Sequence, residues 1–590
     1  MSDTDIDLDE LERRYAQERD KRLRSDGMAQ YEPLGKRFAA LARDPHADPD
    51  FKRAPIEEDG EVLIIGGGFA GLLAGARLRE QGVDAIRIIE KGADFGGTWY
   101  WNRYPGAACD VESTVYLPML EELGHVPTER YPRGSEIQAY CGRIAERYDL
   151  RRAALFQTLA RKLRWDAGRA RWIVETDRGD RIAARFVISC TGLLSNPKLP
   201  RIPGIETFAG HAFHTSRWDY AYTGGDESGG LTGLADKVVG IIGTGSTGVQ
   251  VIPHLAAWAK HLYVFQRTPA SVEVRANRPL TDDDFAGLEP GWQRQRRDNF
   301  TTLTGGGYAP VDLVGDSWTD IIRSVMPRLE NGEPVADVEA IRRAEMRKAE
   351  GVRQRVAATV RDPETAEALK PWFHYFCKRP CFHDEYLESF NRPNVTLVDT
   401  QGKGVERFTP AGAVVAGTEY PLDCLVLATG FDFLVDYCEE AGLEIVGDGG
   451  VDLSDRWADG PLTLHGMQTH GFPNFFMMAI AQAGAAVNYV HTADEQTQTI
   501  AQIIAETRER GATRVEPSLA AETAWVETIV EGAKARRAFL ESCTPGYYSY
   551  EGRRERKAAL NDFYAGGPMA YIEHLRDWRD AGGFPGLDWT

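Results

Sequence analysis

Two short apolar runs, EVLII at 61–65 and VVGII at 238–242, stand out from a chain otherwise mixed in polarity. Continuous runs of this length predict strands buried on both faces of a parallel sheet. A glycine-rich turn, an apolar helical stretch and a further strand follow each of them. The first unit continues as GGGFAG, LLAGARLREQG and DAIRIIE, with Gly82 placed to end the helix. The second continues as GTGSTG, VQVIPHLAAWA and HLYVFQR. Each unit is a βαβ element with its glycines at the strand-to-helix turn.

The rest of the pattern divides the chain. Residues 1–55 form an extension whose charged helical stretch, Leu8 to Arg24, is expected to lie solvated on the protein body. Residues 281–370 are rich in Arg, Glu, Ala and Gln and predict a helical insertion within the second unit. Strands return at 395–398 (VTLV) and 424–428 (CLVLA), and 495–541 is helix-rich. The segments DRGDRIAARFVISCTG and GTEYPLDCLVLATG resemble each other. They suggest two crossings between domains, with the first domain completed by the C-terminal part. The expected fold is α/β, with two Rossmann-like dinucleotide-binding domains.

Composition changes this picture little and narrows the partners. The 590 residues carry a net charge of −19, which disfavours DNA or RNA as a main partner. No apolar run is long enough for a membrane span. The acidic start, MSDTDIDLDELERR, lacks the apolar core of a signal peptide, so a cytoplasmic protein is expected. The eight cysteines form no CxxC pair and are expected to be reduced thiols, with no structural metal. A monomer or weak homo-oligomer is expected.

The two glycine loops carry the chemistry. Gly66, Gly68 and Gly71 stand in the G-x-G-x-x-G frame of a dinucleotide loop. The first glycine allows the tight turn, the second the approach of a pyrophosphate, and the third close packing of helix on strand. Glu90 closes the next strand, where a carboxylate accepts ribose hydroxyls. Gly243, Gly245 and Gly248 repeat the frame, but Arg267 takes the place equivalent to Glu90. A guanidinium there suits a 2′-phosphate, which a carboxylate would repel. FAD at the first loop and NADPH at the second is therefore the expected pairing. Hydride passed to a flavin needs an acceptor: a disulfide, another carrier or oxygen. The lack of a CxxC or CxxxxC near the first loop disfavours the disulfide.

Phe208 to Asp219 reads FAGHAFHTSRWD, with Phe208, Gly210, His214, Trp218 and Asp219 at the spacing of F-x-G-x-x-x-H-x-x-x-W-[P/D]. This resembles the fingerprint of Baeyer–Villiger monooxygenases. Gly96 to Asp110, GGTWYWNRYPGAACD, resembles the second signature of that family, and KRP at 378–380 and ATGFD at 428–432 extend the likeness. The resemblance implies oxidation of a ketone by O2 to an ester or lactone, through a C4a-peroxyflavin and a tetrahedral adduct. It implies that Arg379 supplies catalytic positive charge, that Asp110 contacts it, and that Lys378 joins Arg267 at the 2′-phosphate. His214 is implied to shape the interdomain linker.

The cofactor-contacting set expected from the loops and signature is Gly66, Gly68, Phe69, Ala70, Gly71, Glu90, Lys91, Gly97, Thr98, Trp99, Tyr104, Asp110 and Tyr116, with Gly243, Thr244, Gly245, Ser246, Thr247, Arg267, Thr268 and Lys378. The corresponding domains are 56–192 with 424–590 for FAD and 193–280 with 371–423 for NADPH. AIAQAGAAVNYV (479–490) stands where many family members carry a Gly-Pro-like turn, which resembles the branch accepting bulky, macrocyclic or polycyclic ketones. Loops at 301–318 and 479–490 are expected to shape the pocket. A heteroatom-oxygenating flavin monooxygenase is the alternative, and a nucleotide sensor that kept the fold is a more distant one.

Overall fold

The computed structural model describes residues 7–33, 43–194, 196–329, 332–432, 437–552 and 557–590. Both apolar runs are strands, Glu57–Ile65 and Val238–Ile242, and each lies at the centre of a sheet. The larger sheet has eight strands. Glu57–Ile65 pairs in parallel with Ile86–Ile89 on one side and with Arg181–Ser189 on the other. Antiparallel strands Arg171–Thr176 and Ala160–Asp166 extend it. Phe475–Met477 joins Arg181–Ser189 in parallel, so the C-terminal part does return to this sheet. The smaller sheet is parallel throughout, in the order Val395–Asp399, His261–Gln266, Val238–Ile242, Cys424–Leu427, His211–His214.

The chain leaves the larger sheet after Arg181–Ser189 and comes back after Cys424–Leu427. The two look-alike segments of the sequence sit at these crossings. Each ends against a glycine loop. A Cβ on Gly66 would meet the carbonyl oxygen of Cys190 at 2.3 Å, and one on Gly243 would meet that of Ala428 at 2.2 Å. Both glycines also take positive φ, 109° and 114°. The turn, the close approach and the crossing strand thus require glycine together.

The insertion is helical, with Trp292–Thr304, Ser317–Val325, Val338–Thr359 and Pro363–Ala368. Its sequence position places it inside the second unit, but its packing is divided. Phe300, Trp318, Ile321 and Val352 join the core that covers the larger sheet, while Val356 and Val360 join the core of the smaller one. Asp494, buried on helix Tyr489–Glu509, fixes the first contact. It pairs with Arg77 of the first glycine-loop helix and with Arg297 of the insertion, both at 2.9 Å. Burial works against that carboxylate's charge, but the two guanidiniums hold it well below the usual range.

Two expectations change. The supposed loop 301–318 begins inside one helix and ends inside another, leaving 305–316 between them. The cysteines are not all reduced, because Cys377 and Cys543 form a disulfide across a separation of 166 residues. The six other cysteines are outside any disulfide and buried. Sequence spacing could not pair residues so far apart; the fold brings them together. The N-terminal helix Leu8–Arg22 is charged as expected, yet it docks through buried Leu8 and Tyr15, and Arg353 of the insertion donates to the Tyr15 hydroxyl at 3.0 Å. Beyond it, Tyr31–Pro33 pairs antiparallel with Lys198–Pro200. Among the described residues no helix is long and apolar enough to cross a membrane.

Candidate active site

One cavity of about 2600 Å³ runs between the two sheets and is lined by both glycine loops. Typical single-ligand pockets are roughly 300–1,000 Å³, so this space exceeds what one ligand needs. Helices Phe69–Glu80 and Ser246–Trp258 begin at it, and neither has a side chain capping its first backbone N–H groups. Uncapped helix N-termini are ready anion sites. Gly68 and Gly245 are the N-cap residues, and a Cβ on Gly245 would meet nothing within 4 Å. Open space over the second glycine fits a pyrophosphate there. The residues present therefore fit two dinucleotides.

Phe69, Ala70, Lys91, Gly97, Thr98, Thr244, Ser246, Thr247 and Thr268 line the cavity with the loop glycines Gly66, Gly68, Gly243 and Gly245; Gly71 and Gly248 do not, and pack helix on strand instead. Glu90 is buried and accepts from the backbone N–H of Gly67 at 2.5 Å and of Gly92 at 2.6 Å. Burial raises its pKa, against the pull of those two donors. Trp99 donates to the Tyr116 hydroxyl at 2.8 Å. Tyr104 donates to Gln250 at 2.7 Å, and Gln250 donates to the Ala108 carbonyl at 2.8 Å. Tyr104 therefore ties the Gly96–Asp110 signature to the helix of the second loop, and burial pushes its hydroxyl up to about 12.

Arg379 and Asp110 meet in the same cavity. The guanidinium donates to Oδ1 from Nη2 at 2.7 Å and to Oδ2 from Nε at 3.3 Å. It also lies 4.9 Å from the ring centre of Trp318, whose indole N–H donates to the Asp110 carbonyl at 2.9 Å. Burial would lower the Arg379 pKa, but Asp110, with Tyr548 and Tyr547, raises it. About a third of the side chain, 30%, remains exposed to the cavity. The arrangement presents a permanently charged donor at fixed orientation, as stabilisation of a developing oxyanion requires.

The fingerprint residues stand apart. Phe208, Gly210, His214, Trp218 and Asp219 do not line the cavity. They build the edge of the smaller sheet and the turn after it. The backbone N–H of Ser216 donates to His214 Nδ1 at 3.1 Å, and burial pushes this histidine down to about 3, so it is neutral. Trp218 donates to Thr223 at 3.1 Å, and Asp219 caps the helical turn Tyr220–Thr223. Within the same motif, Arg217 does line the cavity, 3.8 Å from the Trp101 ring. Sequence reasoning passed over it, and also over Tyr547, Tyr548 and Glu551, which line the cavity. The aromatic run GYYSYE at 546–551 was the available signal, since it follows neither helix nor strand period.

Residues 63–272 match the pyridine nucleotide-disulphide oxidoreductase family. Pentalenolactone D synthase of Streptomyces arenae is 52% identical over 99% of this chain and all of its own length. A Baeyer–Villiger monooxygenase of Streptomyces coelicolor is 50% identical over 97% of this chain and 95% of its own. The chain belongs to the Baeyer–Villiger monooxygenases. The solved polycyclic ketone monooxygenase of Thermothelomyces thermophila superposes with a TM-score of 0.92 at 38% identity, covering 99% of each chain. Cyclohexanone monooxygenase gives 0.72 at 30% identity, covering 90% of this chain and all of its own. As a Baeyer–Villiger monooxygenase the protein is an FAD- and NADPH-dependent oxidoreductase that uses O2 to turn ketones into esters or lactones. The heteroatom-oxygenating alternative is not favoured.

Proposed function

We propose that this Baeyer–Villiger monooxygenase acts on bulky, fused-ring ketones. One observation carries the reading: the cavity extends from Arg379 along an apolar wall. Trp318, Ile322, Val325 and Met326 come from the insertion, Ile480, Val487 and Val490 from the 479–490 segment, and Tyr564 and Pro568 from near the C-terminus. The wall begins at Trp318 against the guanidinium, so an apolar ring system lying on it brings a carbonyl to the charge. The names of two similar proteins, pentalenolactone D synthase and polycyclic ketone monooxygenase, support the same class.

The larger sheet with its C-terminal return forms the FAD domain, and the smaller sheet the NADPH domain. FAD supplies oxygen activation when bound, and NADPH the hydride. The Gly68 and Gly245 helix ends hold the two pyrophosphates, Glu90 a ribose, and Arg267 with Lys378 the 2′-phosphate. Arg379 holds the oxyanion side of the reacting carbonyl, and Asp110 orients Arg379. The test is a ketone panel with product identification. Fused-ring ketones should give lactones with kcat/KM about tenfold or more above cyclohexanone, as filling an apolar pocket provides. Equal turnover of small and fused rings would remove the size assignment. Sulfoxides or N-oxides alone would remove the carbonyl chemistry.

A further inference from the structure

Arg267 lines the cavity, but its guanidinium is already engaged there. Its Nη1 donates to Gln30 at 2.5 Å and its Nη2 to Glu551 at 3.1 Å. Glu551 is only 3% exposed, and the Tyr31 hydroxyl reaches its other oxygen at 3.4 Å. Lys378 and Lys198 also face this carboxylate. Lys378 donates to the Pro545 carbonyl at 2.9 Å, and the Lys198 ammonium lies 4.1 Å from the Tyr31 ring centre. Asp432, near Lys198, is a second carboxylate at the cluster. Arg267, Lys378 and Lys198 thus meet two anions, one of them carried on a C-terminal segment, while Arg22, which also acts on Lys378, is paired with Glu18. A phosphate dianion in place of the Glu551 carboxylate would balance the cluster. A carboxylate and a phosphate cannot both occupy one guanidinium fork.

The backbone around Glu551 is unusual. Tyr550 and Glu551 are consecutive left-handed residues, with φ of 51° and 53°. Side chains other than glycine and asparagine take that region at a cost, so other interactions must hold it. The Glu551–Arg267 pair supplies one. At the other end of the segment, Cys543 is bonded to Cys377, next to Lys378. The segment is tethered beside the cations it covers, which keeps the carboxylate at high local concentration even when displaced.

We propose that Glu551 is a built-in competitor for the 2′-phosphate of NADPH. Its carboxylate fills the Arg267–Lys378 subsite while no nucleotide is there, keeps the cations in place, and swings out when the phosphate enters. On departure of NADP+ it recaptures Arg267, which eases release. This rests on the reading of Arg267 and Lys378 given under the proposed function. A competitor lowers affinity only for what it competes with, so the penalty falls on the 2′-phosphate and not on adenosine.

The test is calorimetric titration of FAD-loaded full-length enzyme with adenosine 2′,5′-bisphosphate and with 5′-AMP. Glu551→Gln should bind the bisphosphate roughly tenfold more tightly and leave 5′-AMP within about twofold. Arg267→Ala should weaken the bisphosphate in both backgrounds. Unchanged or weaker bisphosphate binding in Glu551→Gln, with Arg267→Ala weakened as expected, overturns the competitor. An Arg267→Ala variant that binds the bisphosphate normally overturns instead the underlying subsite. Hydrogen exchange on the wild type needs no variant to fold. Amides of 546–552 should exchange faster with the bisphosphate than with 5′-AMP; slower or equal exchange overturns the displacement.

Discussion

Arg379 grips both oxygens of Asp110, a residue more than two hundred positions earlier in the chain, and does so at the seam between the two sheets. The pair gives the guanidinium a fixed direction rather than only a charge. Replacing Arg379 with Ala should leave NADPH consumption largely intact while lowering ketone oxygenation by about 100-fold or more, the range for removing a transition-state charge donor. Asp110→Ala should show a smaller loss of the same kind, because the charge stays and its aim is lost. The ratio of ester or lactone formed to NADPH consumed measures both. Slow flavin reduction with normal coupling would contradict the assignment.

With Lys378 at the proposed 2′-phosphate subsite, nucleotide affinity should be sensitive to pH. Burial pushes its ammonium down to about 8, with Glu551 opposing and Arg267, Arg22 and Lys198 adding to the fall. The protonated form attracts a phosphate, so NADPH affinity should be full below pH 8 and weaken as pH rises through it. The expected rise in NADPH KM between pH 7 and 9.5 is about tenfold. NADH, without the 2′-phosphate, should show little of it. Lys378→Met should give a flat and uniformly weak NADPH profile; a profile with the wild-type inflection would show that another group titrates.

The Cys377–Cys543 bridge closes a long loop, and such closures stabilise by about 2–4 kcal/mol in the chain-entropy account. Unfolding in dithiothreitol should therefore occur at a lower midpoint than without it, and Cys543→Ser should not respond to the reductant. Thiol titration of the denatured, unreduced protein should find six groups. Finding eight would show the bridge is absent.

Asp316 links pH to the helix that carries Trp318. It caps helix Ser317–Val325, accepting from the Thr319 N–H at 3.0 Å, and that helix carries Trp318 to the Asp110 carbonyl. Burial raises its pKa to about 7, against the pull of the Thr319 N–H. Unfolded, it titrates near the ordinary value of about 4. The native state therefore binds the proton more tightly between those values. Its stability contribution is present at low pH and declines as pH climbs through 4 toward 7. Asp316→Asn, a mimic of the neutral acid, should flatten that part of the melting profile between pH 4 and 7; an unchanged slope would assign it elsewhere.

Local periodicity made the two βαβ units readable, because buried parallel strands leave continuous apolar runs and a strand-to-helix turn over a pyrophosphate must be glycine. Glu90 and Arg267 were readable because strand ends fall at a constant distance from the loop. The relation of Arg267 to Glu551 was not, since residues 284 positions apart share no local pattern. The same limit hid the disulfide and the split packing of the insertion. The fingerprint marks the family rather than the cavity: Trp218 and His214 are buried in the sheet edge, and the cavity is touched by Arg217, which the motif leaves unspecified.

The strand Tyr31–Pro33 lies outside both nucleotide units, yet Gln30 and Tyr31 close one side of the pocket around Arg267 and Glu551. A chain begun at residue 56 would keep every glycine of both loops and lose that side. Trimming the amino-terminal residues to ease expression would therefore take away the Gln30 and Tyr31 contacts that hold Arg267 and Glu551 in place.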